Sequence, residues 1–97
     1  MPTYVTLIKY TDQWIKNIKD IEKAQERGIR NAEKMGAKLI GMYFLMGEYD
    51  LVVISESSND ETAVAGSLAA SLDGNIRTTT LRAFTKEEFG EILKKLS

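Results

Sequence analysis

Apolar and polar positions alternate along the chain in blocks that predict strands and helices in turn. The blocks of strand character are Tyr4–Tyr10, Ala37–Met46, Tyr49–Glu56 and Ile76–Phe84. The first three of these carry apolar side chains on both faces, which is typical of strands that are covered on two sides. Two of them face each other across Gly47, where a hairpin turn is expected.

Helical spacing fills the gap between the first two strands. The positions that recur at intervals of three and four are Trp14, Ile18, Ile21, Gln25, Gly28, Ala32 and Met35. Thr11 and Asp12 supply an N-cap, and Gly36 supplies the left-handed residue that ends many helices. Because the stripe weakens midway and Asp20 could act as a second N-cap, a short helix followed by a long one is an alternative to one helix.

Two further helices are predicted in the second half of the chain. Ser58 and Glu61 have the spacing of a capping box, and the helix that follows is rich in small residues over 63–71. Thr85 and Glu88 form a second capping box, ahead of a C-terminal helix. The apolar stripe of that helix consists of Phe89, Ile92, Leu93 and Leu96.

The order βαββαβ with an added C-terminal helix predicts one α+β domain over residues 1–97. Right-handed crossovers give a ferredoxin-like antiparallel sheet, with strand order 4-1-3-2 and both long helices on one face. The second face would then expose more apolar area than a monomer tolerates. We therefore expect two sheets to pack face to face in a homodimer. The C-terminal helix is the alternative cover, over its own sheet or over the partner's.

Composition removes several classes of chemistry. The 97 residues include no Cys and no His, which excludes disulfides, thiolate nucleophiles, Cys/His zinc sites and a Ser-His-Asp triad. The net charge of −1 offers no general attraction to nucleic acid. No apolar run approaches the length of a membrane helix, and the N-terminus lacks the pattern of a signal peptide. A cytoplasmic location without membrane or nucleic-acid partners is expected.

Asp50 and Tyr49 are the candidate catalytic residues. They stand at a strand start beside the hairpin, where a partly desolvated Asp50 carboxylate could act as a general base. The alternative is structural: an Asp in a turn commonly accepts hydrogen bonds from backbone N–H groups, here those of the Gly47 turn.

The candidate ligand-binding residues are Tyr10, Trp14, Tyr43, Thr80 and Arg82. Together with Tyr4 and Phe44, the aromatic members would wall a cavity between the first helix and the sheet, or else belong to a core or an interface. Arg82 would clamp a small anionic ligand, or else pair with Glu48, Asp50 or Glu56. No acidic cluster, CxxC motif or glycine-rich loop suggests a metal or a cofactor, so none is predicted.

Two segments resemble a known family. Gly47-Glu48-Tyr49-Asp50 and the stretch Gly74–Phe84 are similar to the GYD-domain family, and the likeness extends over most of the chain. The resemblance implies a fold of the dimeric α+β-barrel group and supplies no reaction. Trp14 departs from the family pattern, in which a glycine follows the Gln, and Ile21-Glu22 replaces a Ser/Thr-Pro pair. Both departures favour a continuous first helix.

Three functional hypotheses follow from the sequence. The first is a homo-oligomeric module that binds a small anionic or aromatic molecule or has a regulatory role. The second is a cofactor-free enzyme that uses an Asp or Tyr for acid–base chemistry on a small organic substrate. The third is a purely structural assembly protein. A fold alone cannot decide among them.

Overall fold

The computed structural model describes residues 1–96, and within that range an antiparallel sheet is flanked by helices. The strands are β1 (Thr3–Tyr10), β2 (Lys38–Phe44), β3 (Leu51–Glu56) and β4 (Ile76–Ala83), and the helices are α1 (Asp12–Lys16), α2 (Ile21–Lys34), α3 (Asp60–Ser71) and α4 (Lys86–Lys94). The sheet order is β2-β3-β1-β4. The predicted ferredoxin-like α+β architecture, with its added C-terminal helix, is confirmed.

The first helical segment is interrupted, so the continuous helix favoured by the family departures was wrong. A short 3₁₀ turn, Ile18–Asp20, separates α1 from α2. The cause lies at Asn17, whose side-chain amide donates to the Gln13 carbonyl at 3.0 Å, while its own N–H donates to Trp14. A side chain that takes the carbonyl of the preceding turn competes with the helix for it. Asp20 precedes α2 but makes no side-chain capping hydrogen bond.

The hairpin between β2 and β3 is confirmed, with a longer loop than expected. Gly47 has a φ of +107°, a conformation that favours glycine, and the Leu45 N–H donates to the Asp50 carbonyl at 2.9 Å. A bulge in β2 between Leu39 and Gly41 inserts one extra residue. The bulge reverses the alternation of side chains in the rest of the strand, so that Met42 shares the face of Leu39.

Two of the predicted N-caps are confirmed and one is displaced. The Thr11 side chain accepts from the Trp14 N–H, and Thr85 with Glu88 forms a complete capping box. At α3 the cap is Asn59 instead of the predicted Ser58, because the Asn59 side chain accepts from the Thr62 N–H at 2.8 Å.

The two faces of the sheet have different surroundings. On the helix face, the buried side chains Tyr4, Ile8 and Leu51 form the centre of the core together with Trp14 of α1. The opposite face, here called the open face, presents Val5, Leu7, Tyr43, Val52, Ile54 and Leu81. Its residues are half-buried or exposed, with Tyr43 62% and Leu81 47% exposed. The stripe of α4 is itself exposed, with Phe89 at 52%, so α4 does not cover the open face within residues 1–96.

Candidate functional site

A cavity of about 390 Å³ lies between the helix face of the sheet and helices α2 and α3. We call it the helix–sheet cavity. The strands form the floor of the cavity, which consists of Thr6, Ile8, Leu51, Val53, Thr78 and Thr80. The helices form its walls, which include Gln25, Gly28 and Ala32 of α2 and Ala63, Gly66, Ser67 and Ala70 of α3. Aromatic side chains complete the lining: Tyr4, Tyr10 and Trp14. This volume falls in the range of small-molecule sites, about 300–1,000 Å³.

The cavity exists because the two long helices pack over the edges of the sheet. α3 contacts β4 and α2 contacts β2, which are the two edge strands. Small residues let α3 approach its strand closely, and the hydroxyl groups of Ser67 and Thr80 lie 2.6 Å apart. The cavity is the space between the two helices above the central strands β1 and β3.

An aromatic group closes one part of the cavity. Tyr10 and Trp14 meet edge to face with their ring centroids 6.3 Å apart, and the Gln25 amide donates to the Tyr10 hydroxyl at 3.2 Å. Burial raises the pKa of Tyr10, with a further increase from the Asp50 charge, although the Gln25 hydrogen bond opposes both. Trp14 is only 9% exposed, and its buried indole N–H has no acceptor within residues 1–96.

Tyr4 is the second tyrosine of the lining. It is buried, and its hydroxyl donates to the Asp60 carboxylate at 2.5 Å. Burial, followed by the hydrogen bond to Asp60 and its charge, raises the pKa of Tyr4 to about 12. Tyr4 and Tyr10 are therefore both protonated at neutral pH, and their hydroxyls act as hydrogen-bonding groups.

Asp50 directly precedes β3 and lies outside the cavity lining. Its carboxylate accepts from the Tyr10 N–H at 2.8 Å, and its own N–H donates to the Ile8 carbonyl at 2.9 Å. The Tyr10 N–H at the end of β1 is thus paired with a side-chain oxygen, whereas in a longer β3 a backbone carbonyl would accept it. Hydrogen bonding to backbone had been expected as the alternative to catalysis, but with the turn itself rather than with β1.

Tyr49 also lies outside the cavity lining, at the end of the hairpin. The Lys9 ammonium group is 5.3 Å from the centroid of its ring. Lys9 also pairs with Glu48, with 3.4 Å between the ammonium and carboxylate atoms. The structure therefore brings Tyr49 and Asp50 near β1, and neither side chain is part of the cavity lining.

The predicted ligand-binding residues are divided between three places. Tyr10, Trp14 and Thr80 line the cavity together. Tyr43 lies on the open face, because the bulge in β2 changes the side on which later residues point. Arg82 is not part of the lining: its guanidinium group lies over the ring of the lining residue Tyr4, 5.8 Å from the centroid, and reaches Glu88 of α4.

Arg82 has a different partner from those expected. Its guanidinium group lies 3.4 Å from the Glu88 carboxylate, donates to the carbonyls of Thr3 and Ala83, and stacks 4.6 Å from the Phe84 ring centroid. The pKa of Glu88 is lowered by the Thr85 backbone hydrogen bond first and by Arg82 second. The expected pairing of Arg82 with Glu48, Asp50 or Glu56 was therefore wrong, since the capping box positions Glu88 closer.

Sequence reasoning missed two lining glycines, Gly28 and Gly66. Gly28 had been read only as a weak point in an apolar stripe, and Gly66 as one of many small residues. The available signal was thermodynamic: a glycine inside a helix costs stability and needs a local reason.

Residues 1–96 contain neither a cluster of metal ligands nor a helix that could cross a membrane. Groups of three or more acidic side chains close enough to share a metal ion do not occur there. In that same range, the helices are too short or too polar to cross a membrane.

Comparison with known proteins shows what the chain is similar to. A protein of Thermus thermophilus described as "Glutamine synthetase and cystathionine beta-lyase binding protein" is 27% identical over 84 residues, which span 86% of this chain and 88% of that protein. The sequence profile of the GYD domain matches residues 4–93, which include the hairpin, the cavity lining and most of α4. The chain therefore belongs to the GYD domain family.

Proposed function

We propose that this protein is a homo-oligomeric binding module with a regulatory role, which holds a small molecule in the helix–sheet cavity. The observation that carries the proposal is the cavity itself, about 390 Å³ of space between two helices and the central strands. Protein interiors are packed closely and contain few voids larger than a water molecule, so a space of this size is unusual. The mixture of aliphatic and hydroxyl side chains in the lining resembles that of known ligand pockets.

The ionisable groups near the cavity favour binding over catalysis. The two lining tyrosines have raised pKa values, which makes them poor bases at neutral pH. The Asp50 carboxylate accepts a backbone hydrogen bond in the sheet. A general base must reach the proton that it removes, and Asp50 does not line the space that a substrate would occupy.

The exposed surface supports a homodimer. The accessible area is 7034 Å², whereas a folded monomer of 10.9 kDa exposes about 5,600 Å². The radius of gyration is 14.8 Å, against about 12.5 Å for a compact domain of this length. The excess area of about 1,400 Å² exceeds the roughly 800 Å² that each partner buries in a standard interface. Pairing of two open faces would bury the apolar side chains that they expose, such as Tyr43 and Leu81.

A thermal-shift screen of a diverse fragment library tests the binding function. The key variant is Gly66→Leu, which places a side chain in the cavity, and the matched control is Gly90→Leu in α4, outside the lining. We expect compounds that raise the Tm of wild type and of the control but not of the Gly66 variant. A library without a single stabilising compound, or hits that stabilise all three proteins equally, would refute the proposal.

A second candidate function is binding to a metabolic enzyme, as the description of the Thermus relative suggests. The exposed apolar stripe of α4 supports it, because contiguous apolar side chains on a surface often mark a protein interface. Biolayer interferometry with purified glutamine synthetase and cystathionine beta-lyase tests it. A saturable response that Phe89→Ser weakens is expected, and no response at tens of micromolar would exclude it for these two enzymes.

A further inference from the structure

We propose that the ligand of the helix–sheet cavity is a small, uncharged and largely apolar molecule with a hydrogen-bond acceptor, which packs against the helix backbones at Gly28 and Gly66. This inference rests on the binding function proposed above. It adds the chemical class of the ligand and the surfaces that it contacts.

Gly28 and Gly66 have no structural requirement for glycine. Each lies inside a helix, in α2 and α3 respectively, and neither has a positive φ. A Cβ atom added at either position would meet nothing within 4 Å. Glycine inside a helix is less stable than alanine, so the conformation and the packing both favour a larger residue.

What the two glycines preserve is space. Both line the cavity, one on the wall from α2 and the other on the wall from α3. A side chain at either position would occupy volume that is now open. Glycine also permits another group to approach the backbone closely. We therefore infer that the ligand lies against these two stretches of helix.

The distribution of charge selects an uncharged ligand. The charged residues of the lining, Arg27, Glu33 and Asp73, are all exposed, which places them at the mouth. The floor is formed by threonine and aliphatic side chains, which offer no counter-charge. Arg82, the cation expected to clamp an anion, is paired with Glu88 instead. An anion drawn onto this floor would lose its hydration without gaining a partner.

The polar groups of the cavity require an acceptor on the ligand. Trp14 lines the cavity and has a buried N–H without an acceptor within residues 1–96. Buried donors are nearly always paired, so this one calls for an acceptor that the described chain does not supply. The hydroxyls of Thr6 and Thr78 on the floor are additional donors. A carbonyl or ether oxygen on an apolar frame has the required chemistry.

Isothermal titration calorimetry with 1-naphthamide and 1-naphthoate tests the inference, because the two differ chiefly in charge. We expect the uncharged amide to bind wild type at least tenfold more tightly than the carboxylate. Gly66→Leu and, independently, Gly28→Leu should abolish binding of the amide, whereas Gly90→Leu should leave its Kd unchanged. Circular dichroism establishes that each variant is folded, and the use of two cavity variants keeps the test valid if one of them is not.

The possible outcomes distinguish a failure of this inference from a failure of the proposed binding function. Carboxylate binding that equals or exceeds amide binding overturns the uncharged class and leaves the binding function intact. Amide binding that persists in both cavity variants overturns the contact with the helix glycines. If the fragment library also yields no compound that binds, the proposed function fails as well.

Discussion

Replacing Leu81 with lysine should dissociate the proposed dimer. Leu81 lies on β4 in the open face, is 47% exposed and stands opposite Val5 in the sheet. In a twofold interface each substitution occurs twice, so two ammonium groups would have to be desolvated. Desolvation of a buried, unpaired ion costs several kcal/mol. Even about 2 kcal/mol for each would weaken the dimer by about 4 kcal/mol, which is roughly a thousandfold in Kd.

Sedimentation velocity between 1 and 100 µM measures this effect. The wild type should sediment at twice the chain mass of 10.9 kDa, and Leu81→Lys should sediment as a monomer. The matched control is Leu72→Lys, since Leu72 is 86% exposed and follows α3 in the helix layer. It should remain a dimer. A wild type that is monomeric throughout, or a Leu81 variant that sediments like the wild type, would refute the reasoning.

Three further predictions concern stability. Asp50→Ala should lower the free energy of unfolding in urea by about 1–3 kcal/mol, because it leaves the Tyr10 N–H unpaired. Asp50→Asn should lower it less, because the amide oxygen can still accept that hydrogen bond. Equal losses in the two variants would contradict the role assigned to Asp50. The pKa of Tyr4 is raised to about 12, so the folded state favours the protonated phenol, and the stability that this phenol contributes is complete below about pH 10 and is lost as the pH rises towards 12. Tyr4→Phe should therefore flatten the fall in Tm between about pH 10 and 12. Equal slopes in wild type and variant would count against the burial of this hydroxyl. Asn59→Ala should lower the free energy of unfolding in urea by about 1 kcal/mol, because it removes an N-cap, whereas Ser58→Ala should lower it clearly less. The reverse order would identify Ser58 as the cap.

The topology could be predicted because local and long-range signals agreed. The apolar blocks separated strands from helices, and Gly36 and Gly47 occupy the positive-φ positions that their places in the pattern suggested. Thr85 and Glu88 were recognisable as a capping box because both partners lie within one turn. Right-handed crossovers then left few ways to order the strands.

The structure departs from the predicted elements in two places, the first helix and β2. The Asn17 amide binds a carbonyl of the preceding turn and interrupts the first helix. The bulge between Leu39 and Gly41 reverses the alternation of β2 and moves Tyr43 to the open face. The weakened apolar stripe had left the break in the first helix open as an alternative, whereas the bulge in β2 was not expected.

The candidate site was predicted in part. Tyr10, Trp14 and Thr80 do lie together, because strand parity and the first helical turn direct them to the same face. A cavity between the first helix and the sheet was one of two expected alternatives, but its extent could not be foreseen, since it depends on how far apart α2 and α3 lie over the edge strands. The position of Arg82 was equally inaccessible, because its partner Glu88 follows from the direction that the chain takes after β4.

Binding in the helix–sheet cavity is the central claim, and the indole N–H signal of Trp14 tests it most directly. The chain contains one Trp, so a ¹H–¹⁵N correlation spectrum has a single indole signal, and it reports from the cavity lining. During titration with 1-naphthamide, this signal should shift saturably in wild type and in Gly90→Leu, and should stay in place in Gly66→Leu. A signal that does not move in wild type while calorimetry records binding would show that the ligand lies elsewhere.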